Sequence, residues 1–272
     1  MIYETIQLGD FKEATLTPIC ISHTAELTQL PRRAIIVCPG GGYHFLSDRE
    51  AEPIATQFLA AGFATFILRY GIEENAADYR PLKHVALAIR YVREHAKDYN
   101  VDPDYVFTCG FSAGGHLAAS AGVLWDSPVL DDLLTDAPRD IVRPTGMILS
   151  YPVITTGEFT HKNSTYNLCG TTTPTKAQRD AFSLEKHVKP TTSPAFLWHT
   201  FNDTCVPVQN SLLFAEAMTK AGVPFEMHIF PEGPHGLALC NEQTANNNPA
   251  QIVPAAECWI KLAIQWARDL TV

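Results

Sequence analysis

The chain has 272 residues, 46% of them hydrophobic and 18% charged, with a formal net charge of −9. This composition supports a sizeable core and excludes a disordered chain. The acidity excludes nucleic acid or an anionic membrane as the main partner, because both need a basic face, and no run approaches the ~20 apolar residues of a spanning helix.

Residues 1–30 read as strands and turns, an antiparallel edge to a sheet. After about residue 33 short apolar runs alternate with longer helical patterns. Ala34 to Val37 is a buried strand that stops at Pro39 and a run of glycines. Ser47 and Glu50 have the spacing of a capping box, which predicts a helix from near Asp48 to Ala61. Phe63 to Tyr70 is the next strand. From Leu82 to Tyr99, the residues Leu82, Val85, Ile89, Val92, Ala96 and Tyr99 fall on one stripe of a helix. Val106 to Cys109 is a strand, with Gly110, Ser112, Gly114 and an Ala-rich helix after it. Further strands are predicted at Met147 to Tyr151, Ala195 to Thr200 and Phe225 to Phe230, with a helix over Val208 to Ala221. Ile252 to Leu270 closes the chain as a helix, with Pro254 in its first turn and Trp259, Ile260, Ala263 and Trp266 facing inward.

This alternation gives an α/β class, a mostly parallel central sheet with helices on both faces. No internal repeat or low-complexity linker divides it, so residues 1–272 read as a single domain. Two stretches stand outside the alternation. Asp126 to Pro144 is acidic and turn-rich, and Thr155 to Pro190 is polar and long for a plain loop. Long insertions of this kind are often functional, and both are read as cap or lid elements over the site.

The strongest chemical signal is Gly110-Phe111-Ser112-Ala113-Gly114-Gly115. It has the form G-x-S-x-G and stands between a strand and a helix, the context of a nucleophile on a tight elbow. Side chains in place of the glycines would clash with neighbouring backbone. A chance match in a Gly/Ala-rich turn is the alternative. The second signal is Pro39-Gly40-Gly41-Gly42-Tyr43. A tetrahedral intermediate needs fixed N–H donors for its oxyanion, and glycines let backbone approach it closely. Gly41, Gly42 and Ala113 are the chosen donors. No Walker lysine or G-x-G-x-x-G spacing accompanies the run, which counts against a phosphate site.

A general base is needed next. Of the ten histidines, His235 is best placed, in a mobile-looking loop between the last strand and the last helix. His199 and His228 sit within strand patterns and read as packing residues. His116, one turn into the helix after Ser112, reads as an anchor for neighbouring loops. His44 could line the pocket, and His161 and His187 need no role. The acid that fixes the imidazole tautomer is Asp203, after the strand ending at Thr200. Glu232, three residues from His235, is the rival, poorly placed to bond the same ring. Tyr43, Phe111 and Tyr151 are expected as pocket walls. Neither paired histidine spacing nor H-E-x-x-H is present, so no metal and no cofactor is expected.

These residues resemble a known family. The five segments Pro39-Gly40-Gly41-Gly42-Tyr43, Gly110 to His116, Ser150-Tyr151-Pro152-Val153, His199 to Asp203 and Gly233-Pro234-His235-Gly236 look like those of acetyl esterases and acetyl-xylan-esterase-like proteins of the α/β-hydrolase fold, near the hormone-sensitive-lipase-like esterases. The resemblance runs over about residues 33–240. It implies a serine esterase with the order Ser112, Asp203, His235, acting on short acyl esters, often acetylated sugars such as xylo-oligosaccharides. Where the family often has a histidine supporting the glycine turn, this chain has Cys38.

The expected partner is a small-molecule ester, and the sequence is compatible with a homo-oligomer. One rival is a serine peptidase or amidase of the same fold, although such peptidases usually carry a large extra domain. The other is a non-catalytic ligand receptor on the same scaffold, although such proteins typically lose a triad member. The seven cysteines are scattered, without a C-x-x-C pair, and Met1 to Asp10 does not read as a signal peptide. Both features point to the cytoplasm.

Overall fold

The structure, a computed structural model, describes residues 2–22, 24, 26–27 and 30–271. Its centre is an eight-stranded sheet. The strands are β1 (Ile6–Gln7), β2 (Thr15–Ile19), β3 (Arg32–Cys38), β4 (Ala64–Arg69), β5 (Val101–Phe111), β6 (Gly146–Ser150), β7 (Ala195–Thr200) and β8 (Phe225–Phe230). The spatial order is β1-β2-β4-β3-β5-β6-β7-β8. β1–β2 and β2–β4 pair antiparallel, and every other pair is parallel. The antiparallel edge therefore comes from the chain's first segment, as its sequence suggests.

The parallel strands are covered on both faces, which is why β3, β4, β6 and β7 read as continuous apolar runs. One face carries α2 (Arg80–Glu94) and α3 (Ala113–Val123), the other α1 (Glu52–Ala60) and α7 (Trp259–Asp269), with α6 (Gln209–Ala221) beside β7 and β8. In α2 the buried stripe is Leu82, Val85, Ile89 and Val92. The helix is shorter than its periodicity predicts. It ends at Glu94, and Ala96 and Tyr99 stay buried in the turns beyond it. The last helix also begins later than predicted, at Trp259, because turns and a short 3-10 segment at Pro249–Gln251 occupy the stretch before it. Trp259 and Trp198 stack with centroids 5.0 Å apart, both fully buried. Each such ring contributes several kcal/mol of burial plus ~1 kcal/mol of ring contact, which fixes α7 beneath the segment after β8.

The two excursions take different routes. Residues 126–144 form two 3-10 turns, Pro128–Leu133 and Arg139–Val142. They dock on α2, through Lys83 to Asp132 (2.6 Å) and Arg90 to Asp136 (2.9 Å), with Leu130 and Val142 buried. None of these residues lines the cavity at Ser112, which corrects the cap reading for this stretch. Residues 155–190 carry α4 (Lys162–Cys169) and α5 (Lys176–Phe182), and they do reach the cavity.

Candidate active site

Ser112 sits between β5 and α3 with φ 52° and ψ −118°. That conformation costs a non-glycine residue on the order of 1–3 kcal/mol. Three backbone hydrogen bonds hold it there: Ser112 N–H donates to Ser150 O (3.0 Å), and Ser112 O accepts from His116 N (3.1 Å) and Val153 N (3.0 Å). The glycines answer to space. A Cβ on Gly110 would stand 2.0 Å from Gly114 O, and one on Gly114 2.1 Å from Cys38 O. Any side chain there would push the elbow off β3 and β5.

The hydroxyl of Ser112 donates to His235 Nε2 across 2.7 Å, and His235 Nδ1–H donates to Asp203 Oδ2 across 2.6 Å. The structure thus brings together the three residues chosen from sequence. Glu232, the rival acid, is exposed, with no bond to the ring. Asp203 Oδ1 accepts the amides of Cys205 and Val206, both at 2.9 Å. Burial alone would raise this carboxyl. Hydrogen bonds from His199 and His235, the charge of His235 and the Val206 amide outweigh it and hold the group well below the usual carboxylate range. His199 is more than the packing residue that its strand position suggests. It is fully buried, takes a bond from Ser211 Oγ (2.8 Å), donates to Val206 O (2.9 Å) and lies 3.4 Å from Asp203 Oδ2. Its spacing of four from Asp203 is the signal the sequence offers.

The loop carrying His235 is not loose. Thr200 donates to Gly233 O (2.8 Å), Gly233 N to Asn202 Oδ1 (2.8 Å), Gln251 to His235 O (3.2 Å) and Arg49 to Gly236 O (2.7 Å). Opposite Ser112, the glycine turn is equally fixed. Tyr70 donates to Pro39 O (2.5 Å), and Asn167 of α4 donates to Gly42 O (3.0 Å). The amides of Gly41 and Gly42 donate to no acceptor among the described residues. Ala113 opens α3, where an amide has no acceptor within its own helix. These are the three amides that the sequence points to as oxyanion donors.

Glu50 departs from its sequence reading. Ser47 makes no side-chain cap bond, and Asp48–Glu50 is a 3-10 turn that precedes α1. Glu50 instead turns inward, 3% exposed. Its Oε2 accepts Gly40 N (2.8 Å) and its Oε1 accepts the Tyr151 hydroxyl (2.7 Å). The support that Cys38 does not supply to the glycine turn thus comes from a residue twelve positions later. Burial raises the Glu50 carboxyl, against the bonds from Tyr151 and Gly40 and the charges of His235 and Arg49.

Tyr43, Phe111 and Tyr151 are not pocket walls. They are 1%, 0% and 2% exposed and stand behind the site. The hydroxyl of Tyr43 donates to His116 Nδ1 (3.0 Å), whose Nε2–H donates to Phe182 O (2.9 Å). Burial lowers His116 to about 4, the Phe182 carbonyl opposing. This buried neutral ring is the anchor its position suggests, tying the glycine turn to the end of α5. Tyr151 packs edge-on against the His235 ring at 5.0 Å. The walls of the cavity, about 360 Å³, include His44, Phe45, Glu50, His161, Asn163 and Cys205, with Gly41 and Gly42, around Ser112 and His235. His44 thus lines the pocket, as its place in the sequence allows. His161 and Asn163 are not legible as walls in the sequence, because which side of α4 meets the site depends on its docking. Among the described residues no group of three or more His, Cys, Asp or Glu side chains could hold a metal ion, and no helix is long and apolar enough to cross a membrane.

The profile of the BD-FAE family matches residues 23–218. The chain belongs to the BD-FAE family. A curated relative, the acetylxylan esterase of Xylanibacter ruminicola, is 33% identical over 252 residues, covering 88% of this chain and 49% of its own length. The endo-1,4-beta-xylanase B of Butyrivibrio fibrisolvens is 40% identical over 218 residues, 78% of this chain and 33% of the relative. This BD-FAE chain therefore spans less than half of either. Among solved structures, the acetyl ester-xyloside bifunctional hydrolase of Caldicellulosiruptor lactoaceticus matches with a TM-score of 0.83 at 35% identity, over 97% of this chain and 95% of that one. The fold of this BD-FAE member is that of the α/β hydrolases.

Proposed function

We propose that this chain is a serine carboxylic ester hydrolase that removes short acyl groups, acetyl above all, from sugars such as xylo-oligosaccharides. The observation that carries it is the hydrogen-bonded line Ser112–His235–Asp203, open to a cavity whose rim presents amides at Gly41 and Gly42 that donate to no acceptor among the described residues. Ser112 Oγ attacks the acyl carbon as His235 Nε2 takes its proton. Asp203 holds the ring in the tautomer that can accept it and stabilises the imidazolium. The amides of Gly41, Gly42 and Ala113 bind the oxyanion, each such donor being worth about 10²–10³ in kcat. His235 then protonates the departing alkoxide, and water repeats the sequence on the acyl-enzyme.

The wall supports a small polar alcohol. Ser164, buried, has His161 Nδ1 (2.8 Å) as its partner among the described residues. A buried hydroxyl places its proton where an acceptor stands, so Ser164 donates to Nδ1 and the other nitrogen of His161 carries N–H. That donor and the exposed amide of Asn163 line the cavity, and Phe45, 56% exposed, offers an aromatic face beside them. A cavity of this volume stands at the small end of ligand sites, about 300–1,000 Å³, which suits acetyl and one sugar ring better than a long acyl chain. The names of the acetylxylan esterase and of the acetyl ester-xyloside hydrolase agree with that chemistry, and the name of the endo-1,4-beta-xylanase agrees with the sugar. We read residues 1–272 as one domain, because β1 and β8 belong to one sheet. A cytoplasmic location is supported by seven cysteines that are all free thiols, and fractionation of the source cells tests it.

The function is tested by fluorophosphonate labelling of Ser112 and by kcat/KM across nitrophenyl esters of two to ten carbons, beside acetate release from acetylated xylo-oligosaccharides. Labelling, a maximum at two carbons and acetate release are expected. A maximum at eight or ten carbons without acetate release rejects the acetyl-sugar reading.

A further inference from the structure

Glu50 is a buried acid that the acyl-transfer steps do not use. Its two oxygens each accept one bond, from Gly40 N and from the Tyr151 hydroxyl. The Tyr151 hydroxyl oxygen in turn accepts the amide of Ala238 (2.9 Å), three residues beyond His235. The tyrosine proton has Glu50 Oε1 as its acceptor, and both carboxylate oxygens are engaged as acceptors, an arrangement that fits the ionised form. Tyr151 has φ 36° and sits directly after β6, so its ring is held between the elbow and the histidine loop. The neighbouring Arg49 grips that loop from the same turn, through Gly236 O (2.7 Å) and Gln251 Oε1 (3.0 Å). Gly40 leaves no room for an alternative, since a Cβ there would stand 2.6 Å from Glu50 Oε2 and 2.7 Å from Phe111 O.

We infer that Glu50 is a positioning residue that sets the oxyanion turn and the His235 loop at a fixed separation, by bonding Gly40 on one side and Tyr151, and through it Ala238, on the other. The inference rests on reading the site as a serine ester hydrolase. It goes beyond that reading because Glu50, which borders the cavity beside Ser112, takes no part in the acyl-transfer steps. Without the carboxylate, the Gly41 and Gly42 amides and the His235 ring can drift independently, and errors well under 1 Å matter in transition-state stabilisation. Binding of the ground state is little affected, because the cavity walls at His161 and Asn163 stand at the start of α4, with His161 bonded to Ser164. Glu50 also places an anion near the His235 ring. The charged and titratable groups facing Glu50 are His235, Arg49, Tyr151 and Tyr70, and His235 itself faces Asp203 and His161 as well. Removing the anion disfavours the imidazolium, so the acid limb of the kcat/KM profile should move to lower pH.

The experiment compares wild type, Glu50→Gln and Tyr151→Phe on nitrophenyl acetate, with unfolding midpoints measured alongside. Glutamine keeps the shape, but its one oxygen accepts only one of the two bonds and its NH₂ cannot accept the other. Glu50→Gln is expected to lower kcat by roughly 10–100-fold, less than loss of an oxyanion donor itself, with KM within about threefold and the acid limb displaced to lower pH. Tyr151→Phe, which cuts the link to Ala238 and leaves the ring and the Glu50 anion in place, should lower kcat by about fivefold to tenfold with the acid limb little moved. It carries the test if Glu50→Gln does not fold. A kcat within about twofold of wild type in either variant, a loss carried by KM alone, or a Glu50→Gln kcat loss with an unmoved acid limb overturns the inference, because a merely structural glutamate produces these. Wild type that neither hydrolyses the ester nor takes up a fluorophosphonate label would instead end the functional reading, and the positioning role with it.

Discussion

The two excursions look alike as sequence, polar or acidic and rich in turns, yet only one builds the site. Residues 126–144 come after α3 and lie along α2, with Arg90 bonding Asp136 and Leu133 O, and Arg93 bonding Asp140 O. Residues 155–190 come after β6 and put His161 and Asn163 into the cavity, Asn167 on Gly42 O, and Phe182 O on His116. The difference is one of direction. A helix between parallel strands runs back from their C-terminal ends, so a loop leaving that helix emerges at the opposite edge of the sheet. A loop leaving a strand emerges at the reactive edge, where ligands bind in open α/β sheets. Composition marked both stretches, and chain direction separates them.

The largest effect tests which edge is reactive. Ser112→Ala should lower kcat by roughly 10⁵–10⁶-fold with little change in unfolding midpoint, measured by ester hydrolysis and thermal denaturation. Activity near wild type would move the chemistry elsewhere and void the comparison. Asp203→Asn should cost on the order of 10³–10⁴ in kcat by favouring the wrong tautomer, and Glu232→Gln much less. A reversal of the two would transfer the acid's role to the exposed loop residue.

Stability against pH separates the excursions next. His116 and His84 are buried, each lowered from 6.5 to about 4 chiefly by burial. The unfolded chain therefore binds protons that the folded chain does not between these values. The stability they contribute is complete above about pH 6.5 and is lost as pH falls toward 4. For His116 alone the loss is on the order of 2–3 kcal/mol. Urea unfolding from pH 7 to 4 should show this decline, and His116→Gln should flatten it. Amide exchange should then loosen first near Phe182 of the second excursion, not near Leu133 of the first. An unchanged slope in the variant would show that His116 is not the group titrating.

Smaller effects compare the walls directly. His161→Phe should lower kcat/KM on acetylated xylo-oligosaccharides by about fivefold, the worth of one hydrogen bond, and leave nitrophenyl acetate nearly unchanged. Asp132→Asn with Asp136→Asn should leave both substrates alone and cost at most ~1 kcal/mol of stability per exposed ion pair. Equal losses from the two excursions would erase the distinction between them. The smallest expected effect is none: the proposed oxyanion donors are backbone amides, so exhaustive chelation should leave the rate unchanged, and a loss restored by added divalent metal would reveal a site on one of the walls.

The sequence by itself determined the sheet, its antiparallel edge and the three residues that meet at the elbow. Those features are local: apolar runs, a glycine pattern around Ser112, and the chain order of Asp203 and His235 between particular strands and helices. The buried faces and the crowding at Gly110 and Gly114 leave that chemistry few other arrangements. Tertiary structure alone decided the roles of Glu50, Tyr43, Tyr151 and His161. A glutamate three residues after a serine reads as a capping partner, and an aromatic residue beside a motif reads as a wall. Whether either turns inward depends on what stands opposite, and here that is the Gly40 amide for Glu50, His116 for Tyr43 and Ala238 for Tyr151. Those partners lie ten, seventy-three and eighty-seven residues away in the chain, a separation that short-range periodicity does not encode, so only the assembled fold brings their donors and acceptors within bonding distance.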